Sequence, residues 1–200
     1  MTTNFIPGKE IHRFRTKTDK DAVIRYPEWN DLPALTEYIN NLSKEDTFIT
    51  IFNQEISNED EIDFLTNLFK ETELHKSVTL LCFVNEELVA VSGFNQRKYN
   101  GKRDNHVAEF GISVKKEFRN AGIGFMLAST VINEGLKNVS GIRIIRLNVF
   151  GSNEKAIHLY EKLGFKEAGR IPGGILYSGN YIDDILMYME VSKFINHLKV

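Results

Sequence analysis

Residues 115–135 read KKEFRNAGIGFMLASTVINEG: charged at first, then Arg119-Asn120-Ala121-Gly122-Ile123-Gly124, then an apolar run at helical spacing. Two glycines and an arginine stand where a helix is about to begin, and two readings compete. One is a tight strand-to-helix turn that needs unusual backbone angles and carries a solvated arginine. The other is a nest of bare N–H groups that holds an anion. The first N–H groups of a helix lack intrahelical partners and sit at the positive end of its dipole. Gly122 and Gly124 would let a ligand approach without a Cβ in the way, and a guanidinium adds a charge-assisted contact to phosphate. Two other phosphate loops do not fit. The dinucleotide fingerprint needs a third glycine where Leu127 stands, and the triphosphatase loop needs a Gly-Lys-Ser/Thr ending.

Other chemistry-bearing residues are sparse. Cys82 is the one cysteine and lies inside VTLLCFV, which reads as a buried strand position and rules out a disulfide framework. His12, His75, His106, His158 and His197 show no ligand spacing, so no metal is expected. Asp183-Asp184 is a carboxylate pair in a strand, where neighbours point to opposite faces, so only one of them could meet a cationic amine. KYNGKRDN, residues 98–105, reads as a solvated loop.

The elements that must position these residues follow from period and punctuation. Residues 11–26 read as two short strands around an Asp19-Lys20-Asp21 turn. Asn30 is a helix cap with Pro33 in the first turn, and Asn58 with Glu61 resembles a capping box opening a second helix. Ile62, Leu65, Leu68 and Phe69 share one face of that helix. VTLLCFV and LVAVSGF are strands joined across Asn85-Glu86-Glu87, and HVAEFGISV is a third. A helix runs from about Gly122 to Lys137. IRIIRLNVF alternates with Ile145, Leu147 and Val149 on one face, NEKAIHLYEKLGF is a helix ended at Gly164, and YIDDILMYMEV is the last strand. The order β-β-α-α-β-β-β-α-β-α-β, with no repeat or linker, predicts one α+β domain around a mixed sheet.

Two segments together carry a resemblance. Arg119-x-x-Gly122-x-Gly124 resembles the pyrophosphate motif of the GNAT N-acetyltransferase superfamily, Arg/Gln-x-x-Gly-x-Gly/Ala, which in that family follows a strand like EFGISV. LNVFGSNEKAIHLYEKLGF resembles the family's strand, Asn-containing turn and helix ending in Tyr-x-x-x-Gly-Phe, here Asn153, Tyr160, Gly164 and Phe165. YIDDILMYME resembles its closing strand. The likeness runs from about 106 to 190; before residue 78 it rests on element order alone.

That resemblance implies a single domain over residues 1–200, with 1–23 an N-terminal extension or hairpin, built on a twisted mixed sheet with splayed strands. It implies acetyl-CoA as cosubstrate, in an opening between the strands at 107–114 and 142–150. The backbone of Ile112, Ser113 and Val114 would pair with pantetheine amides. The N–H groups of Arg119, Asn120, Ala121, Gly122, Ile123 and Gly124 would surround the pyrophosphate, and Asn153 would reach the pantetheine arm. Tyr160 matches the position from which a phenol, neutral at pH 7, faces the CoA sulfur as general acid; by its spacing alone it is equally a core aromatic beside Ile157. Glu109 would be the base, and desolvation in its apolar strand would raise its pKa; strand alternation also allows it a place on the solvent face.

The bulk numbers fit. The chain has 200 residues, 42% hydrophobic and 26% charged, with a formal net charge of −2, a balance that argues against broad nucleic-acid binding. The N-terminus has no apolar leader-like core and no run approaches a membrane span, so a cytoplasmic location is expected. The expected partner is a small-molecule or protein amine: a polyamine, a lysine side chain or a protein N-terminus. Its selectors would be the first two helices, the 43–56 connection with Glu45, Asp46 and Glu55, and a loop at 169–181. Homodimers occur in the family, although nothing in these residues demands one. A non-catalytic acyl-CoA sensor would share the glycine loop, and Tyr160 and Glu109 are what separate it from an enzyme.

Overall fold

A computed structural model describes residues 5–45, 48 and 54–197, with side chains through 194. The chain divides into two compact units, Met1–Asn95 with Gly111–Ser140, and Gln96–Phe110 with Gly141–Val200.

In the first unit, β1 (Glu10–Arg15) and β2 (Asp21–Arg25) form the expected hairpin, and β2 pairs antiparallel with β3 (Ser77–Val84). β3 and β4 (Glu87–Gln96) are joined through Asn85 and Glu86, both at positive φ, the two-residue turn whose twist matches a hairpin. The mostly apolar β3 is buried almost throughout, as for a strand covered on both faces. Cys82 lies within it, fully buried, and burial pushes its thiol up to about 12, so it is no thiolate at neutral pH.

Helices α1 (Leu32–Lys44) and α2 (Asn58–Glu73) pack through Leu35, Tyr38, Leu42 and Leu65 against Leu81 and Leu88. Their starts differ from expectation by a residue or two. A 3₁₀ turn over Trp29–Asp31 precedes α1, so Asn30 is not its cap, although Pro33 does sit in the first turn. The box that opens α2 is Ser57 with Asp60: Ser57 Oγ accepts from the Asp60 N–H at 3.1 Å and the Asp60 carboxylate accepts from the Ser57 N–H at 3.0 Å. Two overlapping pairs have box spacing, and the earlier one forms while Glu61 turns inward. Of the expected apolar face, Leu65 and Leu68 are buried and Ile62 is exposed.

Helix α3 (Ile123–Asn138) follows the glycine loop and buries Leu127, Ala128, Val131 and Ile132. The second unit holds β6 (Ile144–Phe150), α4 (Glu154–Lys162), β7 (Lys166–Tyr177), β8 (Asn180–Glu190) and the short α5 (Val191–His197). β8 pairs antiparallel with both β6 and β7. Strand β5 (Val107–Val114) contributes its first half to this unit and its second half to the other. The mixed sheet has strand order β1-β2-β3-β4-β5-β6-β8-β7. β5 and β6 are its parallel pair, and their register covers only Val107↔Ile144, Ala108↔Ile145 and Glu109↔Arg146. There it stops, although both strands continue.

Residues 169–181, expected as a loop, are largely strand. β7 was hidden because Gly169, Pro172, Gly173 and Gly174 interrupt its period and nearly all its residues are exposed, so no apolar alternation marks it. Register shifts at Glu167/Gly169 and Ile171/Ile175 accommodate the irregular residues.

One glycine decides how closely α3 approaches the sheet. A Cβ on Gly135 would lie 2.4 Å from a ring carbon of the fully buried Phe94. Alanine would favour the helix by about 1 kcal/mol, but overpacking costs about 1–3 kcal/mol. Gly135→Ala is therefore expected to lower the denaturation midpoint; a midpoint at or above the parent's would show that the contact relaxes freely.

Candidate functional site

The glycine loop takes its shape from left-handed residues. After a 3₁₀ turn over Lys116–Phe118, Asn120 has φ +64° and Gly122 φ +84°, and Gly122 caps α3. Asparagine and glycine tolerate this region best. The Arg119 N–H donates to the Lys116 carbonyl at 3.3 Å, so it is engaged within the turn. Among the described residues, no acceptor takes the N–H groups of Asn120, Ala121, Gly122, Ile123 or Gly124. Five successive free donors beside a helix N-terminus form an anion-binding concavity.

The Arg119 side chain ties this bend to its supports. Its Nε donates to the Val114 carbonyl at 2.9 Å and its terminal nitrogen lies 3.4 Å from Glu45 Oε2. At the end of β5, Ile112, Ser113 and Val114 are half-buried. The Ser113 hydroxyl shares a 2.9 Å hydrogen bond with Tyr38, whose own phenol is pushed well above its usual range by burial. Helix α1 thus holds the end of β5 through Tyr38 and the loop through Glu45. It also anchors the far end of the 43–56 connection. The Ser43 hydroxyl donates to the Gln54 carbonyl at 2.6 Å, and the Asn40 amide donates to the Ile56 carbonyl at 2.9 Å. Residues 46–47 and 49–53, Asp46 among them, lie outside the described residues.

In the second unit, the turn after β6 places Asn153 at the N-cap of α4, where Oδ1 accepts from the Ala156 N–H at 3.2 Å. The cap uses the oxygen and leaves the amide NH₂ as the group that can donate to a ligand. At the other end, Gly164 has φ +97°, its N–H donates to the Glu161 carbonyl at 2.9 Å, and the Phe165 N–H donates to the Tyr160 carbonyl at 2.9 Å. This is a Schellman ending, and it accounts for the spacing of Tyr160, Gly164 and Phe165: they are the residues whose main chain and rings close the helix. The Tyr160 and Phe165 rings are 5.9 Å apart, and Phe110 of β5 meets Tyr160 edge-on at 6.2 Å. Tyr160 is 7% exposed, and burial pushes its phenol up to about 12.

Glu109 sits in different surroundings from those expected. Its side chain is 55% exposed, with Arg97 Nε at 3.9 Å and Arg146 Nε at 4.0 Å. The apolar setting inferred from its strand belongs to Ala108 and Phe110, which point the other way. Glu109 and Tyr160 are thus on opposite faces of β5. The Glu109 face continues as a polar row: Arg146 donates to Asn148 at 3.0 Å, and Asn148 donates to Asp184 at 2.9 Å. Asp183 is taken by Arg170 at 3.0 Å on the other side. This row was not anticipated, since its members come from β5, β6 and β8 and only the register brings them together.

A family model for the acetyltransferase (GNAT) family matches residues 37–165, more than half of the chain. The chain belongs to the GNAT acetyltransferase family. Among GNAT relatives, a spermidine N(1)-acetyltransferase of Vibrio cholerae is 38% identical over 44% of this chain and 51% of its own. A [ribosomal protein bS18]-alanine N-acetyltransferase of Salmonella typhimurium is 42% identical over 42% of this chain and 55% of its own. The chain spans about half the length of these curated relatives. The crystal structure of a GNAT-family acetyltransferase from Streptococcus pneumoniae superimposes with a TM-score of 0.76 and 26% identity, covering 85% of this chain and 99% of the other. The structural likeness therefore extends over 85% of the chain, whereas these two curated relatives match it over less than half.

The two parts of the Asn153 side chain can be tested separately. Asn153→Asp keeps an oxygen at the cap and is expected to hold stability near that of the parent. Asn153→Ala is expected to cost about 1 kcal/mol in denaturant titration. Equal stability of parent and Asn153→Ala would remove the cap from the account of this turn.

Proposed function

We propose that this chain is an acetyl-CoA-dependent N-acetyltransferase that passes the acetyl group directly to a primary amine in the cytoplasm. The observation that carries this reading is the set of five free amides at residues 120–124, in a loop that matches the family's pyrophosphate motif. The diphosphate of CoA is the ligand whose charge and geometry suit them. The backbone at Ile112, Ser113 and Val114 runs on as β5 where pairing with β6 has ended, so it can receive the pantetheine amides as a substitute strand. Asn153 donates to the same arm through its NH₂.

A thioester lying where the parallel register stops has a phenol on one face of β5 and a carboxylate on the other. The amine attacks the carbonyl carbon, a C–N bond forms, and the tetrahedral intermediate breaks its C–S bond. Tyr160 gives its proton to the departing thiolate, whose parent pKa is about 8.5. An alkylammonium with a pKa of about 10.4 must lose a proton before it can attack. Glu109 receives protons from the amine, and because it is exposed and flanked by two arginines it does so through water. The names of the relatives cover both a polyamine and a protein N-terminus as acceptor.

Two measurements test the reading. In hydrogen exchange, the amides of 120–124 should exchange rapidly in the free protein and become protected on addition of acetyl-CoA; unchanged exchange at saturating nucleotide would remove the diphosphate from this loop. In a thiol-release assay across an amine panel, Tyr160→Phe should lower kcat by about 10²-fold while acetyl-CoA affinity holds. Because the buried phenol keeps its proton beyond the usual tyrosine value, the alkaline loss of kcat due to Tyr160 should fall near pH 12 rather than pH 10. Binding of acetyl-CoA without turnover on any amine would mark the chain as a sensor instead.

A further inference from the structure

The turn between β1 and β2 is built against the glycine loop. The Lys17 N–H donates to the Ala121 carbonyl at 3.0 Å. The Lys17 stem lies along Gly122, with Cγ, Cε and Cδ at 3.5, 3.8 and 3.9 Å from the point where a Cβ on Gly122 would sit. The turn is stiff. Thr16 N–H donates to the Lys20 carbonyl at 2.9 Å, Asp19 N–H donates to the Thr16 carbonyl at 3.0 Å, and Lys20 N–H donates to Thr16 Oγ1 at 3.0 Å. The Thr16 and Thr18 hydroxyls share a further bond of 3.0 Å.

Several of the charges around it already have partners. Asp19 pairs with Arg15 at 2.9 Å, and Asp21 lies 3.9 Å from the same guanidinium. Lys20 Nζ stands 5.5 Å over the ring of Phe118. Arg119, the cation that the motif itself would offer to phosphate, is engaged by the Val114 carbonyl and by Glu45. Lys17 is exposed and makes no ion pair among the described residues. Five neutral amides bring only partial charge to a dianionic diphosphate, and the stem that runs past Gly122 carries a full charge with no ion-pair partner among the described residues.

We propose that the Lys17 ammonium binds the diphosphate of CoA, as a cation supplied from the β1–β2 turn outside the Arg-x-x-Gly-x-Gly segment. This rests on the acyl-CoA reading given above. The assignment is to the diphosphate and not to the 3′-phosphate, because the stem lies on Gly122, within the run of free amides.

Calorimetric titration with CoA and with dephospho-CoA, which lacks the 3′-phosphate, tests it. Lys17→Gln should raise Kd about tenfold for both nucleotides, as expected for loss of one charge-assisted contact. It should raise KM for acetyl-CoA with kcat unchanged and leave the melting temperature near the parent's, since the main-chain bond to Ala121 survives. Lys17→Arg should restore most of the affinity. Affinity should also weaken less with added salt in Lys17→Gln than in the parent. Parent-like Kd in Lys17→Gln would overturn the proposal alone, as would a loss seen with CoA but not with dephospho-CoA. A parent protein that binds neither nucleotide would overturn it together with the acyl-CoA reading.

Discussion

Five consecutive main-chain donors without an acceptor among the described residues are the constraint around which the first unit is arranged. Backbone amides in folded proteins nearly always find partners, so a run of open ones must be held apart by its surroundings. Left-handed angles at Asn120 and Gly122 turn the amides outward. The Arg119 side chain then fastens the bend to β5, and through Glu45 to α1. Tyr38 secures the adjoining strand at Ser113 from the same helix. The β1–β2 turn closes the other side through the Ala121 carbonyl. Each support engages a carbonyl or a side chain and leaves the amides open. A guanidinium in a phosphate motif is readily taken for a ligand; here its contacts make it first a brace.

The second unit shows the same economy at a helix end. Tyr160 is placed by the Schellman closure of α4: its carbonyl accepts from Phe165 and its ring packs on Phe165 and Phe110. One residue thereby serves both as a piece of the core and as a phenol kept neutral by burial. In the role proposed for Tyr160, this packing would set the position and proton affinity of the hydroxyl.

Much of this was legible in the residues. The glycine loop, the α4 segment with its Gly164 ending, the alternation of Ile145, Leu147 and Val149, and the β1–β2 hairpin all carry local signals, and all stand where those signals put them. What was not legible depended on contacts distant in sequence. The setting of Glu109 follows from its register with Arg146 on β6, which no property of HVAEFGISV reveals. Lys17 meets Ala121, and Glu45 meets Arg119, from positions far away in the sequence, only once the sheet and α1 have formed. β7 was missed for the opposite reason: its local signals point to a loop, and pairing with β8 overrides them.

That overlooked strand has a consequence of its own. β7 lies at one end of the strand order, where an edge presents unsatisfied ladder groups that invite another chain. Its proline removes a donor from the rim, its two slipped registers break the straight line that a template needs, and Arg170 and Lys166 set charge along it. The same irregularity that conceals β7 from a periodicity reading thus discourages foreign strands from zipping onto the sheet, and so guards the protein against sticking to itself.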